Sequence, residues 1–238
     1  MSEDGPLARR LARTVAGIDQ DGSVVDRFCE AGQLMLDGDG AAITASYDRP
    51  DRHTLSSTSA LASMIEDAQD VAGEGPGFDA VQTGDVVSAD FGMLTPTPWP
   101  LLEDSVAALG FTGSILALPL ATAGRSLGAL VVHKHHSALS FDPPVAAFLG
   151  RNLGAALIEQ LDPEELEREL TDDWSTRAVV HQATGMVAVQ LHIRPDDALV
   201  VLRAHAYGDG TSLVDVAAAV VDRDLTFDGL VEKGDHHG

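Results

Sequence analysis

Ser114-Ile115-Leu116-Ala117-Leu118-Pro119-Leu120-Ala121 and Ser126-Leu127-Gly128-Ala129-Leu130-Val131-Val132-His133 are two apolar runs separated by Thr122-Ala123-Gly124-Arg125. A four-residue link between two such runs suits an antiparallel hairpin. Working outward, Asp37-Gly38-Asp39-Gly40 is a turn, Ala41 to Tyr47 reads as a strand, and Thr54 to Ser57 is its hairpin partner. Asp85 to Ala89 adds a short strand. Leu7, Leu11, Val15 and Ile18 recur at helical spacing, and Val24 to Leu36 continues as a second helix. Thr58 or Ser59 caps a helix running to about Val71, with Leu61, Met64, Ile65 and Ala68 on one face. A proline-punctuated loop, Pro96 to Pro100, precedes a brief helix from Leu102 to Leu109. After Asp142-Pro143-Pro144, the residues Val145, Phe148, Leu149, Leu153, Ala156, Leu157 and Leu161 form one helical stripe. This pattern predicts an α+β fold: a mixed sheet flanked by helices, followed by purely helical chain.

The helical part begins with Pro163 to Trp174, where Glu164, Glu165, Glu167, Glu169, Asp172 and Asp173 surround Leu166, Leu170 and Trp174. It reads as a solvated linker helix with one apolar seam, of the kind that pairs two chains in a coiled coil. Three helical units follow. The first spans Thr176 to Leu191. The second opens at Pro195 with Asp196 and Asp197 in its first turn, carries Ala198, Val201, Leu202 and His205, and stops at Gly208-Asp209-Gly210. The third starts at Thr211 or Ser212, where Ser212 and Asp215 resemble a capping box, and buries Leu213, Val216, Ala217 and Val220. The expected organisation is a first domain over 1–161 (leading helices 6–36, sheet domain 37–161), a linker helix over 162–175, a three-helix bundle over 176–227 and a polar, disordered tail over 228–238. A bundle of that size is too small for an enzyme active site and common for a nucleic-acid or partner-binding module.

In 238 residues, Lys+Arg 15 against Asp+Glu 37 leaves a formal net charge of -22, which excludes a bulk-electrostatic grip on nucleic acid or anionic membranes. The one cysteine, Cys29, cannot form an internal disulfide, which fits a reducing compartment. The acidic start, Met1-Ser2-Glu3-Asp4-Gly5, is unlike a secretory signal, and no apolar run approaches the roughly 18 to 20 residues of a membrane span. A cytoplasmic location is expected. Gly73, Gly75 and Gly77 follow a helix rather than a strand and lack a Gly-Lys-Ser/Thr ending, so they read as a turn and not a phosphate loop. His133, His135 and His136 end a strand, where only His133 and His135 share a face, and no cysteine or carboxylate stands at metal-site spacing. Phe91 and Trp99 are scarce aromatics that either wall a small-molecule pocket or belong to the core. No nucleophile with its base, carboxylate pair or metal-binding helix has motif spacing, so neither catalysis nor a cofactor is expected.

Residues 171–225 contain four arginines (Arg177, Arg194, Arg203, Arg223) and eight aspartates, giving 4 minus 8, or -4. That argues against a duplex-DNA reader. Unpaired RNA loop bases are recognised more by stacking and hydrogen bonds to base edges, which tolerate a weaker field; His181, Gln182, Thr184 and Arg203 are suitable donors.

His181-Gln182-Ala183-Thr184-Gly185-Met186, with Ala198, Leu202-Arg203, Ala206, Leu213, Val216-Ala217 and Val220 behind it, closely resembles the ANTAR domain, an RNA-binding antiterminator module of bacterial regulators. The resemblance covers about residues 170–225. The first part is similar to a GAF domain of the actinobacterial GAF-ANTAR type through Gly73-Glu74-Gly75-Pro76-Gly77-Phe78-Asp79-Ala80, Asp90, Trp99-Pro100, Pro119-Leu120 and Leu127-Gly128-Ala129-Leu130. The resemblance implies a homodimeric, non-catalytic regulator that binds paired RNA hairpins in leader transcripts and prevents terminator formation. It implies that Arg177, His181, Gln182, Thr184 and Arg203 face RNA, that Phe78, Asp90, Phe91 and Trp99 face a small-molecule ligand, and that Leu166, Leu170 and Trp174 hold two protomers together. Many relatives carry Cys where Phe78 stands and Lys where Thr184 stands, and they tend to be basic near Thr211, Ser212 and Asp224. With those charges gone, a sensor and protein-interaction module without RNA contact is the competing reading.

Overall fold

The computed structural model describes residues 4–19, 22–46, 52–93, 96–122, 125–160 and 174–227. Its contacts divide the chain into two compact units, residues 1–69 with 73–166 and residues 70–72 with 167–238.

The hairpin is the centre of the first unit. Strands β4 (Gly113–Thr122) and β5 (Arg125–His135) pair antiparallel with Ile115 opposite His133, Ala117 opposite Val131 and Leu118 opposite Leu130. Pairing runs on to Thr122 and Arg125 past a register shift at Leu120/Ala121, so the link is shorter than the four residues expected. On the other side of β5 lies β1 (Gly40–Ser46), followed by β2 (Arg52–Ser57), while β3 (Val87–Phe91) flanks β4, giving the order β2-β1-β5-β4-β3. The α+β class is as expected, but the mixed sheet is not: every pair is antiparallel. The helical connection from β2 to β3 carries the chain to the opposite edge of the sheet. It therefore never returns a parallel strand beside the one it left.

Both faces of the central hairpin are covered. One face offers Ala41, Ile43, Leu116, Leu118, Leu120, Leu130 and Val132 to α2 (Val24–Met35) and α6 (Pro143–Gln160), with α1 (Asp4–Gly17) adding Leu11 and Val15 at the periphery. Glycines set the distance of approach. A Cβ on Gly150 or Gly154 would lie 2.6 Å from the Pro119 carbonyl oxygen and 2.9 Å from the Ala121 nitrogen, and one on Gly128 would lie 1.9 Å from the Thr44 carbonyl oxygen of β1. Helix α2 is tied to β2 by its cap. The Asp26 amide donates to Ser23 Oγ (3.1 Å), the Ser23 amide donates to Asp26 Oδ2 (3.1 Å), and the Ser56 hydroxyl donates to Asp26 Oδ1 (2.7 Å). Burial pushes the Asp26 carboxyl up, yet the hydroxyls of Ser56 and Ser23 and the Ser23 amide outweigh it and hold it below its ordinary value.

The opposite face carries α3 (Ala60–Ala72), α4 (Pro76–Thr83) and α5 (Pro100–Ala108). Ser59 caps α3 by accepting from the Ala62 amide, and Gly73 ends it in the left-handed conformation at φ 67°. The glycine run was expected only to stop that helix. It also starts α4, with Pro76 at the first helical position, where its missing N–H costs nothing.

The second unit consists of α7 (Trp174–Leu191), α8 (Pro195–Asp209) and α9 (Leu213–Val221) around Ala183, Val187, Ala198, Leu199, Leu202, Ala206, Leu213, Val216, Ala217, Val220 and Phe227. Gly210 stops α8 at φ 63°, and Ser212 Oγ accepts from the Asp215 amide at 3.1 Å to start α9. Phe227, which lies beyond the three helical stripes read from the sequence, closes this core: its ring meets His205 edge-on at 5.5 Å and its amide donates to Gln190 Oε1 at 3.1 Å. Leu166 and Leu170 of the expected linker helix, and the tail 228–238, lie outside the described residues. No helix among the described residues is long and apolar enough to cross a membrane.

Gly150→Val is expected to lower stability by about 1–3 kcal/mol, because overpacking must push α6 off β4. The urea midpoint should fall accordingly, while Gly208→Ala, where a Cβ meets nothing within 4 Å, leaves it unchanged or raised.

Candidate nucleic-acid interface

On α7, Ala183, Thr184 and Val187 point into the core, so by helical geometry the residues a third of a turn or more away face outward. His181, Gln182, Gly185 and Val189 are exposed, and Gln182, Gly185 and Val189 follow at i, i+3 and i+7 along one row. The structure thus brings His181 and Gln182 together on an open helix face. Thr184 is a correction. It is 5% exposed, and its hydroxyl donates to the Val180 carbonyl at 2.7 Å, because position 184 belongs to the same inward stripe as Ala183 and Val187. It offers no donor to the surface. Arg177 lies on α7 one turn before His181, and Trp174 begins the helix. On α8, Ala198, Leu199, Leu202 and Ala206 are buried, Arg203 is half-buried, and Val200, Ala204 and Tyr207 are exposed. The polar surface of the unit is acidic, with Asp196, Asp197, Asp209, Asp215, Asp222 and Asp224 all exposed and Arg194 spent on Asp196 at 3.2 Å.

In the first unit, the four residues expected to face a ligand do not converge. Asp90 and Phe91 are neighbours on β3 and point to opposite faces of the sheet. Asp90 accepts the Ser114 hydroxyl, whose oxygen in turn accepts the Leu139 amide at 2.9 Å. Phe91 is fully buried, stacked on Trp99 with centroids 6.4 Å apart and the ring planes 17° apart, and tilted against Phe111 at 6.3 Å. The Trp99 indole N–H donates to Asp79 Oδ2 at 3.2 Å. Of the two uses left open for these aromatics, the structure selects the core. Phe78, on α4, is half-buried.

A buried polar chain that the sequence pattern does not announce runs through this unit. Glu66 on α3 is 2% exposed; Thr44 Oγ1 donates to its Oε2 at 2.5 Å and Gln69 Nε2 to its Oε1 at 2.6 Å, while the Gly77 amide donates to Gln69 Oε1 at 2.9 Å. These bonds tie β1, α3 and α4 together through groups that are costly to leave unpaired in a core. The helix face expected to be buried was therefore rotated: Met64, assigned to it, is exposed, while Glu66 and Gln69 are inside. A signal existed in the small residues opposite α3 and α4, Ala42, Ala117 and Ala129, which leave room for polar side chains.

His133 and His135 do share a face, both beside Phe111 with ring centroids at 5.9 and 5.4 Å, and His136 stacks on His135 at 3.7 Å. Among the described residues, no group of three or more His, Cys, Asp or Glu side chains is placed to hold a metal ion. Cys29 is buried with its Sγ 3.8 Å from the Ser56 carbonyl oxygen, and burial pushes its thiol up to about 12, which leaves no thiolate for chemistry.

Residues 168–221 match the family model of the ANTAR domain. That stretch includes His181, Gln182 and Arg203, and spans all of α8 and α9. A comparison with curated proteins gives no match. Among solved structures, the chain is similar to the GAF domain of an Acinetobacter phosphoenolpyruvate-protein phosphotransferase, with 15% identity over 67% of this chain and 96% of that one and a TM-score of 0.44. The GAF domain of a phosphoenolpyruvate-protein phosphotransferase from Coxiella burnetii matches with 18% identity over 66% and 96% and a TM-score of 0.44. GAF3 from Slr1393 of Synechocystis sp. PCC6803 matches with 11% identity over 57% and 92% and a TM-score of 0.41.

Burial holds His133 below its ordinary value of 6.5, opposed by the Asp39 carboxylate and assisted by His135. The folded protein thus keeps this imidazole neutral while the unfolded chain protonates near pH 6.5, so stability is intact above that pH and falls as pH drops toward the depressed folded value. The urea midpoint of the wild type should drop more steeply between about pH 7.5 and 5.5 than that of His133→Gln.

Proposed function

We propose that the chain is a non-enzymatic, cytoplasmic regulator of gene expression that binds RNA stem-loops in nascent leader transcripts through its C-terminal unit and prevents terminator formation. The observation that carries this reading is the ANTAR match over residues 168–221, within which His181 and Gln182 stand exposed on one face of α7. Their imidazole and carboxamide supply donors and acceptors for base edges, and a helix face open to solvent lets a hairpin loop approach. The first unit is proposed as the sensing or scaffolding partner, of the actinobacterial GAF-ANTAR type. Phe78, half-buried on α4, is kept in this proposal as the ligand-facing residue. Leu166, Leu170 and Trp174 are proposed to join two protomers, so that one homodimer engages two hairpins.

The acidity of the C-terminal unit, four arginines against eight aspartates over residues 171–225, favours a second reading, a protein-interaction module with degenerate RNA binding. Salt separates the two. A phosphate-contacting RNA complex with six or more such contacts loses about a thousandfold or more in affinity between about 50 and 200 mM salt, whereas a packed protein interface changes little.

Fluorescence anisotropy with a labelled RNA carrying two neighbouring hairpins tests the proposal. The His181→Ala/Gln182→Ala double variant is expected to bind about tenfold more weakly at an unchanged melting temperature, and to lose readthrough of a leader terminator in a purified transcription reaction. Absence of wild-type binding to any tandem-hairpin RNA would establish the interaction-module reading instead.

A further inference from the structure

We infer that the outer face of α1 is a docking site for an acidic helix, and that its occupant is the stretch 162–173 of a second copy of this chain. The inference rests on the homodimer proposed above and names a contact additional to the seam of Leu166, Leu170 and Trp174.

Arg9, Ala12, Arg13 and Ala16 stand at i, i+3, i+4 and i+7 on α1, all exposed, on the face opposite Leu11 and Val15, which pack on the core. Arg10, also exposed, flanks them. Arg13 Nε donates to the Arg9 carbonyl at 3.4 Å, which lays the Arg13 side chain back toward Arg9. None of the three arginines forms an ion pair with a described residue. Residues 5–18 contain no acid, so this helix carries +3 in a chain of net charge -22. Helix residues three and four apart have Cβ atoms about 5–6 Å apart, so Arg9 and Arg13 present one row of charge, and the alanines beside them leave room for a second helix to come close.

Charge chooses the occupant. Residues 162–173, which lie outside the described residues, hold seven carboxylates against one arginine, Arg168, giving 1 minus 7, or -6. Glu165, Glu169 and Asp173 stand at i, i+4 and i+8, the spacing of Arg9 and Arg13, and each immediately precedes one of Leu166, Leu170 and Trp174. Pairing two such seams brings the carboxylates of both copies together, which is unfavourable unless cations stand beside them. The three arginines of α1 supply those cations. A free polyanion, RNA included, approaches against the net charge of -22, whereas this stretch of a second copy is already held by the seam and arrives at high effective concentration.

The test is sedimentation equilibrium of the full chain at low ionic strength, where exposed charge pairs are least screened. The glutamate variant, Arg9→Glu/Arg10→Glu/Arg13→Glu, and the lysine variant, Glu165→Lys/Glu169→Lys/Asp173→Lys, are each expected to self-associate about tenfold more weakly than wild type, with unchanged far-UV circular dichroism. A fluorescently labelled lysine variant is then titrated with either the glutamate variant or wild type, the self-association of each titrant being known from sedimentation. It is expected to bind the glutamate variant about tenfold more tightly, because its lysines then face glutamates instead of arginines on α1. Self-association of the glutamate variant equal to wild type would overturn the inference and leave the homodimer standing; loss of binding to the tandem-hairpin RNA by that same variant would then make α1 a phosphate contact. Equal or tighter binding of the lysine variant to wild type would also overturn it, the tighter case placing the contact within one copy. A wild type that stays monomeric at every concentration would remove the inference together with the homodimer.

Discussion

The pairing of β4 with β5 imposes the strictest condition on the first unit, because both strands are apolar on both faces. Leu116, Leu118, Leu130 and Val132 face one way, and Ile115, Ala117, Ala129 and Val131 the other. A hairpin of that kind cannot be left with one side in water, so helices must cover it twice, and β1 and β3 must close its two edges. The glycines follow from the same condition. Gly128 lets β1 approach, and Gly150 and Gly154 let α6 lie on the β4 backbone, so the tight packing is written into residues without side chains.

The two faces are not equivalent. The face under α2 and α6 is hydrocarbon at its centre, with the polar contacts of Ser56 to Asp26 and of Ser114 to Asp90 at its margins. The face under α3, α4 and α5 mixes small residues, a cluster of Phe91, Trp99 and Phe111, the neutral imidazole of His133 and the Glu66–Gln69 chain of hydrogen bonds. Every bond of that chain depends on the position of α3 or α4, and α4 is a short helix held by a proline start and two glycine ends. A ligand or partner that shifted α4 would have to replace those bonds. Polar satisfaction, rather than hydrophobic area, therefore governs how easily this face rearranges.

In the second unit the constraint is size. Three helices, two of them no longer than fifteen residues, are held by a core in which alanines at 183, 198, 206 and 217 let the axes come close. Such a core spends nearly every inward position, and Thr184 is drawn in with its hydroxyl returned to the helix backbone. What remains outside is acidic, with a few neutral contact residues. A surface of that composition attracts phosphate poorly, so hydrogen bonding and shape rather than net charge are what it offers to a partner.

Local pattern determined much of this protein. The hairpin, the three C-terminal helices, the cap at Ser59, the cap at Ser212 and the stop at Gly210 each depend on residues within a few positions of one another, and each is where spacing and turn chemistry placed it. The ANTAR resemblance was legible for the same reason, since its positions fall on three consecutive helices. Tertiary structure decided what local pattern leaves open. The sheet is wholly antiparallel because a connection crosses to the far edge, a choice no local signal encodes. Phe91 and Trp99 became core because three aromatics meet there from β3, the loop before α5 and the loop before β4. Glu66 and Gln69 went inside because β1 and α4 supply partners from 22 and 8 residues away. Burial of a polar group is favourable only when its partner is in place, and the partner's position is a property of the fold, not of the helix that carries the group.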